Sequence, residues 1–94
     1  MESLNDVSFA VLSDYLRCGR EIEFSYQGKQ HSITNSQGEW KFCCDTDSSL
    51  TERICAFEDK DALIVYMQTH RIAGIPISDL FDRGLYDADS VCIL

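Results

Sequence analysis

The sequence predicts an α+β domain: an N-terminal helix, an antiparallel meander of three to four strands, and two C-terminal helices packed on one sheet face. Three observations predict it. Glu21-Ile22-Glu23-Phe24-Ser25-Tyr26 alternates strictly between polar and apolar residues, the period of a half-buried strand. Gln27-Gly28 and Asn35-Ser36-Gln37-Gly38 supply turns at short spacing after it. Helical patterns then dominate the second half, and strands grouped before helices argue for helices segregated to one face of a sheet. The 94 residues are enough for one domain, 1–94, with a small core.

Each element has its own signal. From Ser8 to Arg17, Phe9, Leu12 and Leu16 recur at helical spacing, with Val11 and Tyr15 flanking the stripe. Asp6 or Ser8 can cap the start, and Gly19 stands where a left-handed C-cap belongs. The first strand, Glu21 to Tyr26, turns inward Ile22, Phe24 and Tyr26. After the turn Gln27-Gly28-Lys29, a second strand over Gln30 to Asn35 places His31 and Ile33 on one side. The third, Glu39 to Cys44, aligns Trp40, Phe42 and Cys44. Asp45 to Ser49 reads as a polar loop, and Thr51 to Phe57 as a fourth strand whose apolar residues do not alternate cleanly. Glu58-Asp59-Lys60-Asp61 opens the second helix with acids where the helix dipole favours them. That helix runs through Leu63, Tyr66 and Met67 to about His70, with Gly74 as its stop. Pro76 starts a short third helix to Arg83, ended by Gly84. Ser90 to Leu94 is a terminal strand or an apolar tail. The expected core is Ile22, Phe24, Ile33, Trp40 and Phe42 beneath Leu12, Leu16, Leu63 and Met67.

Asp45-Thr46-Asp47 begins like a calcium loop, but Leu50 and Ala56 stand where that loop requires Gly and Glu. Asp87-Ala88-Asp89 and Asp45-Thr46-Asp47 read as solvated turn acids. The five cysteines (Cys18, Cys43, Cys44, Cys55, Cys92) are odd in number and lack C-x-x-C spacing, which favours reduced, mostly buried thiols. Zinc needs convergent ligands, and the other soft donors, His31 and His70, are 39 positions apart. No metal and no cofactor is expected. Hydrolase, metalloprotease, phosphate-loop and dinucleotide signatures are missing from the sequence, so the expectation is a protein that is not an enzyme.

Charge says more. Sixteen acids against eight bases give a net charge of −8, which argues against direct binding of nucleic acid or anionic membrane. The longest aliphatic and aromatic run, Leu63 to Met67, is far short of a bilayer span. The first residues show neither the basic nor the apolar region of a signal peptide, so a cytoplasmic location is expected. The acid excess lies in the second half: residues 1–44 carry −2 and residues 45–94 carry −6. Its clusters are Asp45, Asp47 and Glu52; Glu58, Asp59 and Asp61; Asp79 and Asp82; and Asp87 and Asp89. These ten carboxylates are the candidate partner-binding residues. Self-repulsion disfavours compactness, and carboxylates on a rigid domain can stand where phosphates would bind on a basic protein. Six of them, Asp45, Asp47, Asp59, Asp61, Asp87 and Asp89, are expected to meet at one edge of the domain.

The segment Gly19-Arg20-Glu21-Ile22-Glu23-Phe24-Ser25-Tyr26-Gln27-Gly28-Lys29, with Gly38-Glu39-Trp40-Lys41-Phe42, resembles a pattern in short proteins of low-GC Gram-positive bacteria and their mobile elements. There a leading helix, a G-R-E-I-E-F-x-Y-x-G-K strand pair and a G-x-W-x-F strand precede a helical end. The resemblance covers roughly residues 8–83 and concerns strand faces and turn glycines; it transfers no catalytic residue. Small acidic phage proteins of this kind resemble anti-CRISPR inhibitors of the type II effector nuclease. That resemblance implies partner binding without catalysis. The function expected is therefore a small acidic inhibitor of a basic nucleic-acid-processing protein, an anti-CRISPR being the preferred case. The alternatives are an immunity protein neutralising a nuclease toxin, or a non-catalytic accessory or scaffold domain.

Overall fold

In the computed structural model the chain forms a six-stranded antiparallel sheet with three helices on one face. The structure describes residues 2–4, 7–44 and 47–94, with backbone alone for 2–4 and 47–50. Chain order is β1 (Glu2–Leu4), α1 (Phe9–Arg17), β2 (Ile22–Tyr26), β3 (Lys29–Ser36), β4 (Glu39–Cys44), β5 (Asp47–Ala56), α2 (Lys60–Thr69), β6 (Arg71–Ile72), β7 (Ile75–Pro76), α3 (Ile77–Asp82) and β8 (Val91–Ile93). Spatial order in the large sheet is β1-β8-β2-β3-β4-β5, and β6 and β7 form a separate small hairpin.

Strands β2 to β5 are the expected meander. Two-residue turns join the first three, and Gln27 and Gly28 (φ 53° and 79°) and Gln37 and Gly38 (54° and 78°) are all left-handed. Paired positive φ values define the hairpin turn whose twist matches the strands it joins, and glycine at the second position takes that conformation without a Cβ penalty. Register follows from these turns: Phe24 faces His31, Ile22 faces Ile33, and Ile33 faces Phe42. A one-residue slip would expose this whole apolar set.

The expected core is present. Ile22, Phe24, Ile33, Trp40, Leu12, Leu16, Leu63 and Met67 are fully buried, and Phe42 nearly so. Trp40 donates its indole N–H to the Phe57 carbonyl at 3.1 Å and stacks on the Phe57 ring at 5.6 Å. Lys60 closes over that ring, its ammonium 3.8 Å from the centroid. Val11, by contrast, lies on the exposed side of α1.

The meander has the four strands expected, and the apolar end takes the strand reading as β8, paired with β2; the addition is β1, which pairs with β8 and brings the sheet to six strands. Other expectations need correction. Residues 47–49 of the expected Asp45–Ser49 loop belong to β5, whereas 45 and 46 lie outside the described residues. β5 alternates poorly because its register with β4 shifts twice, between Trp40 and Lys41 and between Cys43 and Cys44. α2 ends at Thr69 with His70 as its C-cap, as expected, but Gly74 turns the β6–β7 hairpin instead of stopping a helix. Among the cysteines, all of them free, Cys44 and Cys55 are buried, Cys43 and Cys92 are half-buried and Cys18 is exposed, so fewer are core residues than expected.

Trp40→Ala removes the largest buried side chain and a hydrogen bond. It should cost about 3–5 kcal/mol and lower the thermal midpoint by at least about 12 °C. A calorimetric midpoint within a few degrees of the parent protein would show that the helix-covered face has been assigned wrongly.

Candidate functional site

The elements define two ends of the sheet. One holds the β3–β4 turn, the C-terminus of α1 and the N-terminus of α2, joined by the Arg17–Asp61 ion pair at 3.1 Å. The other holds the β2–β3 turn, the C-terminus of α2 and the N-terminus of α1. β3 crosses between them with eight residues, a run of roughly 23 Å.

The candidate carboxylates divide between these ends. At the first, Asp59 caps α2, accepting the Ala62 N–H at 3.1 Å, and Asp61 holds Arg17. Glu58 lies in the preceding turn, exposed. At the second, Asp87 accepts the N–H groups of Gln27 and Gly28 at 3.1 and 3.0 Å. Asp82, at the end of α3, accepts the Phe9 N–H at 2.8 Å and so caps α1 from another helix. Asp79 is exposed in the first turn of α3, and Asp89, also exposed, has a left-handed backbone (φ 62°). Glu52 is exposed on β5, opposite Phe42. Asp47 starts β5 opposite Cys44; its side chain and Asp45 lie outside the described residues. The acids therefore do not gather at one edge. Three of them (Asp59, Asp82, Asp87) cap a helix or clamp a turn and Asp61 makes an exposed ion pair with Arg17, whereas Glu58 and Asp79 have no side-chain partner among the described residues.

A second feature was not anticipated from the sequence. Between the β2–β3 turn, the middle of β5 and the β6–β7 hairpin lies a cleft of about 650 Å³. Tyr26, His31, Phe42 and His70 line it, with Lys29, Glu52 and Arg71. The rings belong to one file: His31 stacks on Phe42 at 5.5 Å, Phe42 meets His70 at 5.0 Å, and His70 stacks on Tyr66 at 4.7 Å. His31 is there because β3 alternation turns it inward. His70 is there because α2 starts over Trp40 and runs antiparallel to β5, which brings its C-terminus back over Phe42. The sequence signal was available: a helix returning along the strand before it places its last residue near the opposite sheet end. Thirty-nine positions of separation hid it.

Electrostatics in the cleft centre on Tyr66. Burial first, and the Glu52 carboxylate second, push its phenol well above the ordinary value of 10. Its hydroxyl makes no hydrogen bond of regular geometry, so Glu52 acts by proximity. Toward the other end of β5, burial and then the Asp59 carboxylate raise the Cys55 thiol, whose Sγ–H donates to the Asp59 carbonyl at 3.4 Å. A thiol so placed is a poor nucleophile. Among the described residues no three His, Cys, Asp or Glu side chains gather as metal ligands do.

Asp87→Ala should destabilise the protein by about 1–2 kcal/mol, because two turn N–H groups lose their charged acceptor. Glu58→Ala and Asp79→Ala should stay within about 0.5 kcal/mol of the parent. Urea denaturation distinguishes them, and equal effects at all three positions would contradict the division of roles. Because the Tyr66 phenol is raised in the folded state, its contribution is intact below the unfolded value near 10 and is lost as pH rises beyond it. Tyr66→Phe should therefore flatten the alkaline limb of the stability profile, and an unchanged limb would contradict its burial against Glu52.

No protein-family model, no curated protein and no solved structure matches the chain.

Proposed function

We propose that the chain is a small acidic inhibitor that binds a basic nucleic-acid-processing protein over the surface its nucleic acid uses, with a type II CRISPR effector nuclease as the preferred partner. The observation that carries this reading is the surplus of exposed carboxylate. Acids outnumber bases two to one, and among the described residues two ion pairs, Arg17–Asp61 and Arg53–Glu39, offset them. Both pairs are solvent-exposed, where such contacts contribute little to stability, so the acids that cap no helix and clamp no turn, Glu58 and Asp79 among them, are available to a partner.

The layout sets the form such mimicry takes. A nucleic-acid duplex presents roughly 14 charges over 23 Å, more than this domain carries at its two ends together. Copying phosphate density is therefore beyond it. Separate anchors at the two ends, held by the rigid sheet between them, fit a basic groove that runs the length of the molecule, 31 Å on its longest axis. Rim acids of this kind raise the association rate more than they slow dissociation.

Added to a guide-loaded type II effector nuclease, the protein should suppress target-DNA binding, and its affinity should fall about tenfold between about 0.05 and 0.25 M salt. Glu58→Lys with Asp79→Lys, acids without a side-chain partner among the described residues, should weaken binding about tenfold, chiefly through association, at a stability cost of about 1–2 kcal/mol from the reversed charges at two helix starts. A nuclease that binds its DNA equally well with and without saturating protein would overturn the reading.

A further inference from the structure

We propose that the cleft between the β2–β3 turn and the β6–β7 hairpin is a binding site for a small planar aromatic molecule carrying an anionic group. Its volume, about 650 Å³, falls within the range of small-molecule sites, roughly 300–1,000 Å³.

The walls specify the flat part of the ligand. Tyr26, His31, Phe42 and His70 present rings, and His31, Phe42 and His70 are already fixed by contact with one another. His70 is held between Tyr66 at 4.7 Å and Phe42 at 5.0 Å, and His31 between Phe24 at 5.4 Å and Phe42 at 5.5 Å. A site whose rings need no reordering loses little entropy when another ring slides against them.

The mouth specifies the charge. Lys29 and Arg71, both exposed, line the cleft. They are two of eight bases in a chain of net charge −8, and they flank the same opening from different elements, β3 and β6. The Arg71 guanidinium is oriented by donation to the Gly74 carbonyl at 3.0 Å, which leaves its other nitrogens for a ligand. Lys29 has no partner among the described residues. Glu52 is the one carboxylate of the described lining, and Tyr66 lies next to it. Asp87, at the same end, has its carboxylate engaged by the Gln27 and Gly28 N–H groups at 3.1 and 3.0 Å, and acids at the far end of the sheet are more than two Debye lengths away and are screened. A carboxylate or a phosphate on a flat ring satisfies both the walls and the mouth.

The test uses the full chain, labelled with nitrogen-15, and four probes: adenosine 5′-monophosphate, adenosine, indole-3-acetate and indole-3-acetamide. At least one anion should shift the amide resonances of His31, Phe42, His70 and Arg71. It should bind about tenfold more tightly than its uncharged counterpart. Response to the nucleotide or to the indole acid tells a phosphate source from a carboxylate source, and either supports the site. Lys29→Gln with Arg71→Gln should abolish the preference for the anion, and Lys29→Gln alone, which breaks no internal bond, should reduce it. The proposal is overturned if no probe shifts the cleft, if shifts appear elsewhere, if the uncharged probe binds as tightly as the anion, or if the double variant keeps the preference.

Discussion

The sheet depends on where the last strand goes. β8 enters between β1 and β2, with Ile93 opposite Ile22 and Val91 opposite Leu4. It is seated by side chains as well as by the ladder: Ser90 Oγ accepts the Ser25 N–H at 3.0 Å, and the Asp87 N–H donates to the Ser25 carbonyl at 2.8 Å. Arg20 Nε donates to the Leu94 carbonyl at 2.8 Å. Until this segment docks, β1 has no neighbour and the buried Val91 and Ile93 have no place in the core. The first half of the sheet therefore waits for the end of the chain. Pairings of such sequence separation slow folding, because loop closure precedes any gain from contacts.

The helical layer is tied by the same economy of polar groups. α1 receives one cap from its own Ser8, whose Oγ accepts the Val11 N–H at 3.3 Å, and another from Asp82 of α3. Tyr86 accepts the Val7 N–H at 2.9 Å while its ring packs on Phe81. Short helices are unstable alone, and here α1 borrows a cap from α3, whereas α2 is capped by its own Asp59. The consequence for charge is that acidity and architecture overlap. A carboxylate that caps a helix or clamps a turn has already spent its hydrogen bonds, so the net charge overstates what is free for recognition.

Sequence patterning carried the meander and its inward face because both rest on period-two alternation and on glycine at turns, which are local. The inward residues from Ile22 to Phe42 were readable for that reason. β5 was read less well, since Ile54 falls at a register shift, where an extra residue interrupts the alternation. The β6–β7 hairpin was missed because its strands have two residues each and Ala73-Gly74 resembles a helix end. The aromatic cleft was missed for a different cause: Tyr26, His31, Phe42 and His70 come from four elements, and nothing local marks them as neighbours. The acids were visible as residues, but their tasks were not, because capping by Asp82 and clamping by Asp87 reach across 73 and 60 positions.

The two register shifts along β5 have a consequence beyond this molecule. Ten residues of strand at the rim of a sheet would ordinarily offer an evenly spaced row of donors and acceptors to any extended chain. Here the shifts at Trp40/Lys41 and Cys43/Cys44 break that row into short pieces, and a charged pair, Glu52 and Arg53, stands between them. A visiting strand would find no uninterrupted template and would have to dehydrate charge to use what remains. The irregularities that spoiled the alternation in the sequence thus guard the rim against fibril-like stacking of one copy on the next.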